Sequence, residues 1–215
     1  MILGVLLAAG TGSRFADPKA DSANKLLADL DGRPVVARAA RTLTESTVDH
    51  SVAVVGHDRE RVADALPPEV DAVANPDYET GQSATVRRGV AVARERGASA
   101  VLFALGDMPR VAVETVDALV ATYRDADDAT RGIVAPRYDG RRGNPVLFDA
   151  RHFDALAAVT GDRGGRGLVE SERVSWVDVT DPGIHRDVDT ERDLRALRAR
   201  QVESGDDSAS DDSRG

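Results

Sequence analysis

A glycine-rich segment ending in an arginine follows the first apolar run of this 215-residue chain. The apolar run covers residues 2–7, and the segment after it reads Ala-Ala-Gly-Thr-Gly-Ser-Arg. Small residues let backbone N–H groups approach a phosphate, and Arg14 adds positive charge. The dinucleotide fingerprint would need a third glycine at Phe15, and a Walker A loop would need a Gly-Lys-Ser/Thr ending. The segment alone fits either a nucleotide cradle or an ordinary glycine-rich turn.

Lysine is scarce in this chain, which gives Lys25 particular interest. Lys19 and Lys25 are the two lysines among 28 basic residues, and the others are arginines. Such a composition, with 37 acidic residues, resembles that of proteins from a high-salt cytoplasm. A lysine retained in this background is a candidate for a chemical role.

Carboxylates that could hold Mg²⁺ follow a later apolar run. Asp107 comes after residues 101–105, so in a parallel sheet it lies at the carboxyl edge beside the first loop. Mg²⁺ usually takes one or two protein carboxylates plus phosphate oxygens, so a second carboxylate is expected. Asp189 is the preferred candidate and Asp187 the rival. The alternative is that both only cap a helix beginning near Thr190.

Strand-like runs alternate with helical patterns along the chain. The strand-like runs cover residues 2–7, 51–55, 70–74, 101–105, 133–136, 145–148 and 174–179. Helical patterns start at Pro34 and cover residues 59–66, 83–96, 113–123, 150–159 and 190–200. This alternation predicts a doubly wound α/β fold with a mostly parallel sheet and helices on both faces. Ligands of such sheets bind where the strand order reverses, so the loops after Leu7 and Leu105 should form the site.

Composition narrows the class of protein. The chain is 41% hydrophobic and 30% charged, which indicates a globular protein. It lacks cysteine, so disulfides and cysteine-based metal sites are excluded, and a net charge of -9 disfavours a nucleic-acid partner. No apolar run reaches the roughly 18 residues of a membrane span, and a cytoplasmic location fits. We expect one domain over residues 1–203 and a disordered acidic tail over residues 204–215.

An ordered series of short motifs resembles the signature of nucleotidyltransferases of the molybdopterin type. The series runs Ala8-Ala9-Gly10 with Arg14, Lys25-Leu26-Leu27, Gly32-x-Pro34, Asn75-Pro76, residues 81–89, Gly106-Asp107-Met108-Pro109, Arg142-Gly143-Asn144 with Pro145-Val146-Leu147-Phe148, Gly161-Asp162-x-Gly164-x-Arg166, and Asp187-Val188-Asp189-Thr190. The resemblance implies a Rossmann-like, glycosyltransferase-A-like fold. Ala-Ala-Gly in the first loop looks closest to the cytidylyltransferases, because guanylyltransferases read Ala-Gly-Gly there.

Two positions depart from the family pattern. The family spaces its arginine and lysine by about five residues, so residues 15–24 look like an insertion and Lys19 sits near the usual place. Lys25 is preferred because it alone precedes Leu-Leu and the Gly-x-Pro motif. Glu191 stands where the family has a proline. Neither change removes a charge that the chemistry needs.

The resemblance implies a Mg²⁺-dependent transfer of CMP from CTP to the terminal phosphate of molybdopterin cofactor, with release of pyrophosphate. Arg14, Lys25 and Asp107 would be catalytic, and Asp107 with Asp189 or Asp187 would hold the metal. The implied nucleotide contacts are Leu7, Ala8, Ala9, Gly10, Gly12, Arg14, Lys25, Asn75, Gly81, Ser83, Thr85 and Gly106. The implied acceptor contacts are Arg142, Gly143, Asn144, Asp162, Gly164 and Arg166.

Several alternatives stay open at this point. The chain could be a guanylyltransferase for the same cofactor, an NTP transferase for a sugar or alditol phosphate, or a nucleotide-binding accessory protein without turnover. Gly81, Ser83 and Thr85 could serve only to start a helix. The four histidines are interpreted as surface or loop residues, and Trp176 as a core residue. Molybdoenzymes or their chaperones would be transient partners.

Overall fold

The computed structural model describes residues 1–10, 12, 15, 24–161 and 164–206, with the backbone alone described from residue 200 onward. Ten strands occur in this part of the chain, and eight of them form one sheet. In chain order they are β1 (Ile2–Ala8), β2 (Asp29–Leu30), β3 (Arg33–Pro34), β4 (His50–Val55), β5 (Val70–Ala74), β6 (Ala100–Leu105), β7 (Ile133–Tyr138), β8 (Arg141–Arg142), β9 (Val146–Asp149) and β10 (Val174–Asp178). The short strands β2 and β3 pair with each other as a separate hairpin.

The order of strands in the main sheet is β10, β7, β9, β6, β1, β4 and β5, and β8 pairs with β7. β1 is parallel to both of its neighbours, β4 and β6. β9 is antiparallel to β6 and β7, and β8 is antiparallel to β7. Successive strands from β1 go first to one side and then to the other, so the strand order reverses beside β1. The prediction of a doubly wound, mostly parallel sheet is confirmed.

Helices cover both faces of this sheet. They are α1 (Val35–Thr44), α2 (Arg59–Asp64), α3 (Gln82–Glu95), α4 (Val113–Asp125), α5 (Phe153–Ala157), α6 (Arg166–Ser171) and α7 (Glu191–Asp206). One apolar cluster joins α1 and α4 to the sheet through residues such as Leu43 and Leu119. A second joins α3 and α5 to the opposite face through residues such as Val90 and Leu156. Burial on both faces explains why β1, β4 and β6 read as unbroken apolar runs.

A third apolar cluster fixes the two ends of the chain to each other. Phe15 is buried with Val35 at the start of α1, with Val188, and with Leu194 and Leu197 of α7. This cluster places the segment before α7 next to the first loop, and so brings Asp187 and Asp189 to the edge where β1 and β6 end.

The structure differs from the sequence expectations at several places. Trp176 is 40% exposed, so its assignment to the core is wrong. β10 is the outermost strand, and only Val174 and Val177 among its side chains pack against the apolar clusters. The helix expected over residues 150–159 is a 3-10 turn followed by the short α5, and α6 was not expected. α7 extends to Asp206, inside the expected tail, and residues 207–215 lie outside the described part. Within the described residues, no helix is long and apolar enough to cross a membrane.

Candidate active site

Lys25 lies between two carboxylates at the carboxyl edge of the sheet. Its Nζ is 2.7 Å from Oδ2 of Asp107 and 2.8 Å from Oδ1 of Asp189. Burial lowers the pKa of Lys25, but the charges and hydrogen bonds of the two aspartates outweigh it and the pKa is raised overall. The ammonium group is therefore held in its charged form and in a fixed position.

The 3-10 helix Lys25–Leu27 positions the lysine. Asn24 caps this helix, because its Oδ1 accepts a hydrogen bond from the backbone N–H of Leu26 at 3.0 Å. Gly12 approaches the aliphatic part of Lys25 so closely that a Cβ on Gly12 would lie 3.3 Å from Cγ of Lys25. The φ of +61° at Gly12 also favours glycine. The first loop thus packs directly on the lysine.

Backbone hydrogen bonds join the loop after β6 to the end of β1 and to the segment before α7. The N–H of Gly106 donates to the carbonyl of Leu7 at 3.0 Å, and the N–H of Val188 donates to the carbonyl of Asp107 at 2.8 Å. A Cβ on Gly106 would lie 3.1 Å from the Leu7 oxygen, so the small residue permits this approach. Gly106 therefore supports the site from behind and does not face the cavity.

The start of α7 is capped by residues other than Asp187 and Asp189. Oδ2 of Asp193 accepts hydrogen bonds from the N–H of Thr190 at 2.8 Å, its hydroxyl at 2.7 Å, and the N–H of Asp189 at 3.2 Å. The Thr190 hydroxyl in turn accepts from the N–H of Asp193 at 3.3 Å. This reciprocal arrangement is a capping box. The Asp189 side chain contacts Lys25, so the alternative that it only caps α7 is wrong.

A cavity of about 610 Å³ opens in front of Lys25, and we call it the strand-end cavity. Its lining consists of Leu7, Ala9, Gly10, Gly12, Lys25, Leu26, Tyr78, Glu79, Gly81, Gln82, Thr85, Leu105, Asp107, Asp187 and Asp189. Most of the residues expected to contact a nucleotide are therefore together. Tyr78 and Glu79 were missed by sequence reasoning, whereas Gln82 belongs to the motif of residues 81–89 that the resemblance places at the nucleotide. Desolvation in this cavity raises the pKa of Asp187, and the charges of Asp107 and Asp189 act in the same direction.

Three expected nucleotide contacts are buried behind the cavity wall. Ala8 is 1% exposed and belongs to the apolar core. Asn75 donates to the hydroxyl of Thr85 at 3.3 Å, so it supports a lining residue. The hydroxyl of Ser83 accepts from Arg87 at 3.2 Å. Asn75 and Ser83 therefore fix the start of α3, where Gly81 has a φ of 103°.

The carboxylates suit a divalent metal ion. Asp107 and Asp189 both reach the same Lys25 nitrogen, so their oxygens meet at one point. The described residues form no group of three or more potential metal ligands. A pair of carboxylates is the usual protein contribution to Mg²⁺ when phosphates supply the remaining oxygens. The donor set therefore fits a metal ion that arrives with a nucleotide.

A second cavity, of about 800 Å³, adjoins the first, and we call it the arginine cavity. Its lining consists of Leu7, Gln82, Val86, Phe103, Leu105, Met108, Arg141, Arg142, Gly143, Asn144, Val146, Phe148, Gly165, Arg166, Val169, Ile184, His185 and Asp187. Desolvation, and then the charge of Arg166, lower the pKa of Arg142. Arg166 also pairs with Glu170, with its Nε 3.0 Å from Oε1, and the donors of the neighbouring guanidinium groups suit an anion.

The remaining expected acceptor contacts have different places. Gly164 lies beside the arginine cavity, and a Cβ on it would be 3.3 Å from Oε1 of Gln82. Asp162 lies outside the described residues, as does Arg14. Sequence reasoning missed Arg141 and His185, which line the arginine cavity.

The fold and the polar cavity at the reversal of strand order define an α/β protein of the nucleotide-binding class. The model of the MobA-like NTP transferase domain matches residues 4–176, and the chain belongs to this family. Purine catabolism protein PucB of Bacillus subtilis is 27% identical over 213 residues, which cover 92% of this chain and 96% of PucB.

Solved structures agree with this assignment. A nucleotidyl transferase from Methanothermobacter thermautotroptrophicus has a TM-score of 0.78 at 25% identity, with 95% of this chain and 99% of that chain covered. Rv0371C of Mycobacterium tuberculosis, solved in complex with manganese, has a TM-score of 0.72 at 27% identity, with 92% and 98% covered.

Proposed function

We propose that this protein is a Mg²⁺-dependent cytidylyltransferase that moves CMP from CTP to the terminal phosphate of molybdopterin cofactor. The observation that carries the proposal is the Lys25 ammonium held between Asp107 and Asp189, with the arginine cavity adjoining it. Lys25 and a cation bound by Asp107 and Asp189 would neutralise the negative charge of a triphosphate. The neighbouring arginines suit a second phosphorylated substrate.

The charge of the strand-end cavity supports a metal requirement. Its described lining holds four carboxylates, those of Glu79, Asp107, Asp187 and Asp189, against one ammonium group. A nucleoside triphosphate would be repelled by this surface unless a cation came with it. Asp107 and Asp189 would hold the metal ion. When bound, it would withdraw charge from the phosphate oxygens and help to orient them.

The reaction is an in-line displacement at the α-phosphorus of CTP. An oxygen of the acceptor phosphate forms the new P–O bond, and the bond to the β-phosphate oxygen breaks, with its electrons leaving on pyrophosphate. Lys25 would stabilise the charge on the α-phosphate and the departing oxygen. Arg14 would bind the leaving phosphates by its fork of donors. An ionised phosphate is already a nucleophile, so the step needs no general base.

The proposed nucleotide and the proposed acceptor are supported by separate features. The Ala8-Ala9-Gly10 loop favours CTP over GTP by resemblance to cytidylyltransferases. Arg142 and Arg166 in the arginine cavity favour a phosphorylated acceptor, because paired guanidinium groups match a phosphate dianion. The manganese complex of Rv0371C, a relative in structure, supports a divalent metal in the reaction.

Pyrophosphate release tests the nucleotide and acceptor together. We would incubate the protein in concentrated KCl with Mg²⁺ and CTP, GTP, ATP or UTP, each with and without molybdopterin cofactor. Release confined to CTP plus cofactor is the expected result. Preference for GTP would contradict the choice of base, and release only with sugar or alditol phosphates would contradict the acceptor.

A matched pair of variants distinguishes an enzyme from a binding protein. Asp107→Asn should lower pyrophosphate release by about 100-fold or more, because the metal loses a carboxylate. Asp128→Asn is the control, because that side chain is 93% exposed, pairs with Arg131 and lines neither cavity. Full turnover in Asp107→Asn would contradict the metal assignment. Nucleotide binding without turnover in the unaltered protein would favour a nucleotide-binding accessory protein over an enzyme.

A further inference from the structure

His185 contacts the backbone of the segment that carries Arg142. Its Nε2 lies 3.0 Å from the carbonyl oxygen of Arg142 and 3.2 Å from that of Arg141. A carbonyl oxygen only accepts hydrogen bonds, so the contact is a hydrogen bond when Nε2 carries the ring proton, which the two oxygens then share. The ring thus bridges two successive peptide groups of one strand.

The segment held by His185 would otherwise be a short two-stranded projection. β8 contains only Arg141 and Arg142, and it pairs with Arg137 and Tyr138 of β7. Asp139 and Gly140 reverse the chain between β7 and β8 with φ angles of 50° and 70°. Two residues with positive φ form the tight hairpin turn typical of Asp-Gly. A two-residue strand has few ladder hydrogen bonds of its own, so contacts from outside the hairpin matter for its position.

The turn that carries His185 is itself firmly attached to the rest of the protein. It is the 3-10 helix Pro182–His185, capped by Asp181, whose Oδ1 accepts from the N–H of Gly183 at 2.7 Å. The other oxygen of Asp181 accepts from the N–H of Ala112 at 2.8 Å and the hydroxyl of Thr115 at 2.9 Å, at the start of α4. Asp181 therefore ties the turn to α4, because one carboxylate oxygen binds the turn and the other binds the start of α4.

Further contacts hold the turn that carries His185 against the segment that follows β8. The N–H of Asn144 donates to the carbonyl of Ile184 at 3.2 Å. A Cβ on Gly143 would lie 2.6 Å from the Cβ of Ile184, so this position must be glycine for the segments to touch. Gly143 and Asn144, expected from the sequence to contact the acceptor, also have this structural task.

We propose that His185 is a positioning residue for the acceptor, which it serves by holding Arg141 and Arg142 at the arginine cavity through their carbonyl groups. This inference rests on the proposed function for the identity of the acceptor. Phosphate recognition by a guanidinium fork depends on its placement, so a displaced strand weakens binding of the acceptor while leaving the strand-end cavity intact.

Steady-state kinetics with molybdopterin cofactor and CTP test the proposal. Loss of the shared Nε2–H hydrogen bond in His185→Ala should raise the KM for the cofactor about tenfold and change the KM for CTP by less than about twofold. His185→Gln should restore most of the loss, because its amide can donate two hydrogen bonds. His50→Ala is the matched control, because His50 is exposed at the start of β4, the end opposite to the cavities.

The outcomes separate this proposal from the proposed function. An active unaltered protein with an unchanged cofactor KM in His185→Ala, or with equal rises in both KM values, overturns the positioning role. No turnover of CTP and cofactor by the unaltered protein overturns the proposed function instead. In that case inorganic phosphate is the probe, titrated by ³¹P NMR. Weaker phosphate binding in His185→Ala than in His50→Ala supports the positioning role, and equal binding overturns it.

Discussion

The strand-end cavity and the arginine cavity share a wall, yet their charges are opposite. Among described residues, the first is lined by four carboxylates and one ammonium group, and the second by three guanidinium groups and one carboxylate. Lys25 pairs with two aspartates at 2.7 and 2.8 Å, whereas Arg142 lies near Arg166, which itself pairs with Glu170. The lining of the first cavity is therefore mainly negative, and that of the second is mainly positive.

This difference follows from the part of the sheet on which each cavity lies. The strand-end cavity lies where the parallel strands β1 and β6 end, and its charged groups come from loops that converge there. The arginine cavity lies beside β8 and β9, where the chain runs antiparallel to its neighbours. Leu7, Leu105, Gln82 and Asp187 line both cavities. A metal-bound triphosphate on one side and a phosphorylated acceptor on the other would meet at this shared wall.

Of the substitutions at the two cavities, replacement of Lys25 should have the largest effect on the reaction. Lys25→Met should lower kcat about 100- to 1,000-fold, because a preorganised positive charge at the reacting phosphate is lost. Lys19→Met is the matched control, since it removes the one other lysine of the chain. Initial rates of pyrophosphate release at saturating CTP and cofactor measure both. A larger loss in Lys19→Met would transfer the catalytic role to Lys19.

Replacing Arg142 should affect substrate binding at the arginine cavity alone. Arg142→Ala should raise the KM for the acceptor about 10- to 100-fold, in line with loss of charge-assisted hydrogen bonds, and leave the KM for CTP nearly unchanged. Arg137→Ala is the matched control, because Arg137 pairs with β8 through its backbone and its side chain binds Asp178 at the surface. Equal changes in both KM values would show that the two cavities do not separate the substrates.

Much of the fold and the position of Asp107 could be predicted because their causes are local. Apolar runs identify β1, β4 and β6, and a carboxylate after a parallel strand must lie at the carboxyl edge. This placed Asp107 beside the first loop. The Asp139-Gly140 pair is also a local signal for a hairpin, and β8 could have been predicted from it.

Other features depend on strand order or on contacts between distant segments. Exposure of Trp176 follows from the edge position of β10, which no local pattern reveals. His185 acts on residues more than 40 positions away, so its spacing in the sequence has no meaning by itself. Ser83 and Asn75 are polar residues in a plausible motif, but they face inward because Arg87 and Thr85 are their partners.

Asp193 offers a smaller test of how the strand-end cavity is built. Asp193→Ala removes the acceptor of the Asp189 and Thr190 N–H groups, and should raise the Mg²⁺ concentration for half-maximal rate about tenfold. Asp193→Asn keeps an oxygen acceptor and should restore most of the loss. Thermal unfolding is measured alongside, because loss of a cap costs about 1 kcal/mol. A lower Tm with an unchanged Mg²⁺ requirement would limit Asp193 to stabilising α7.

Replacement of Gln82 should have the smallest effect on the kinetics, although Gln82 is expected to contact both substrates. It lines both cavities, and Gly164 packs against its amide group. Loss of one neutral hydrogen bond to each substrate in Gln82→Ala should raise the KM for CTP and for the acceptor about threefold each. Thr80→Ala is the control, because the Thr80 hydroxyl donates to the carbonyl of Asp77 and Thr80 lines neither cavity. A change confined to one KM would contradict the shared role and assign Gln82 to that substrate alone.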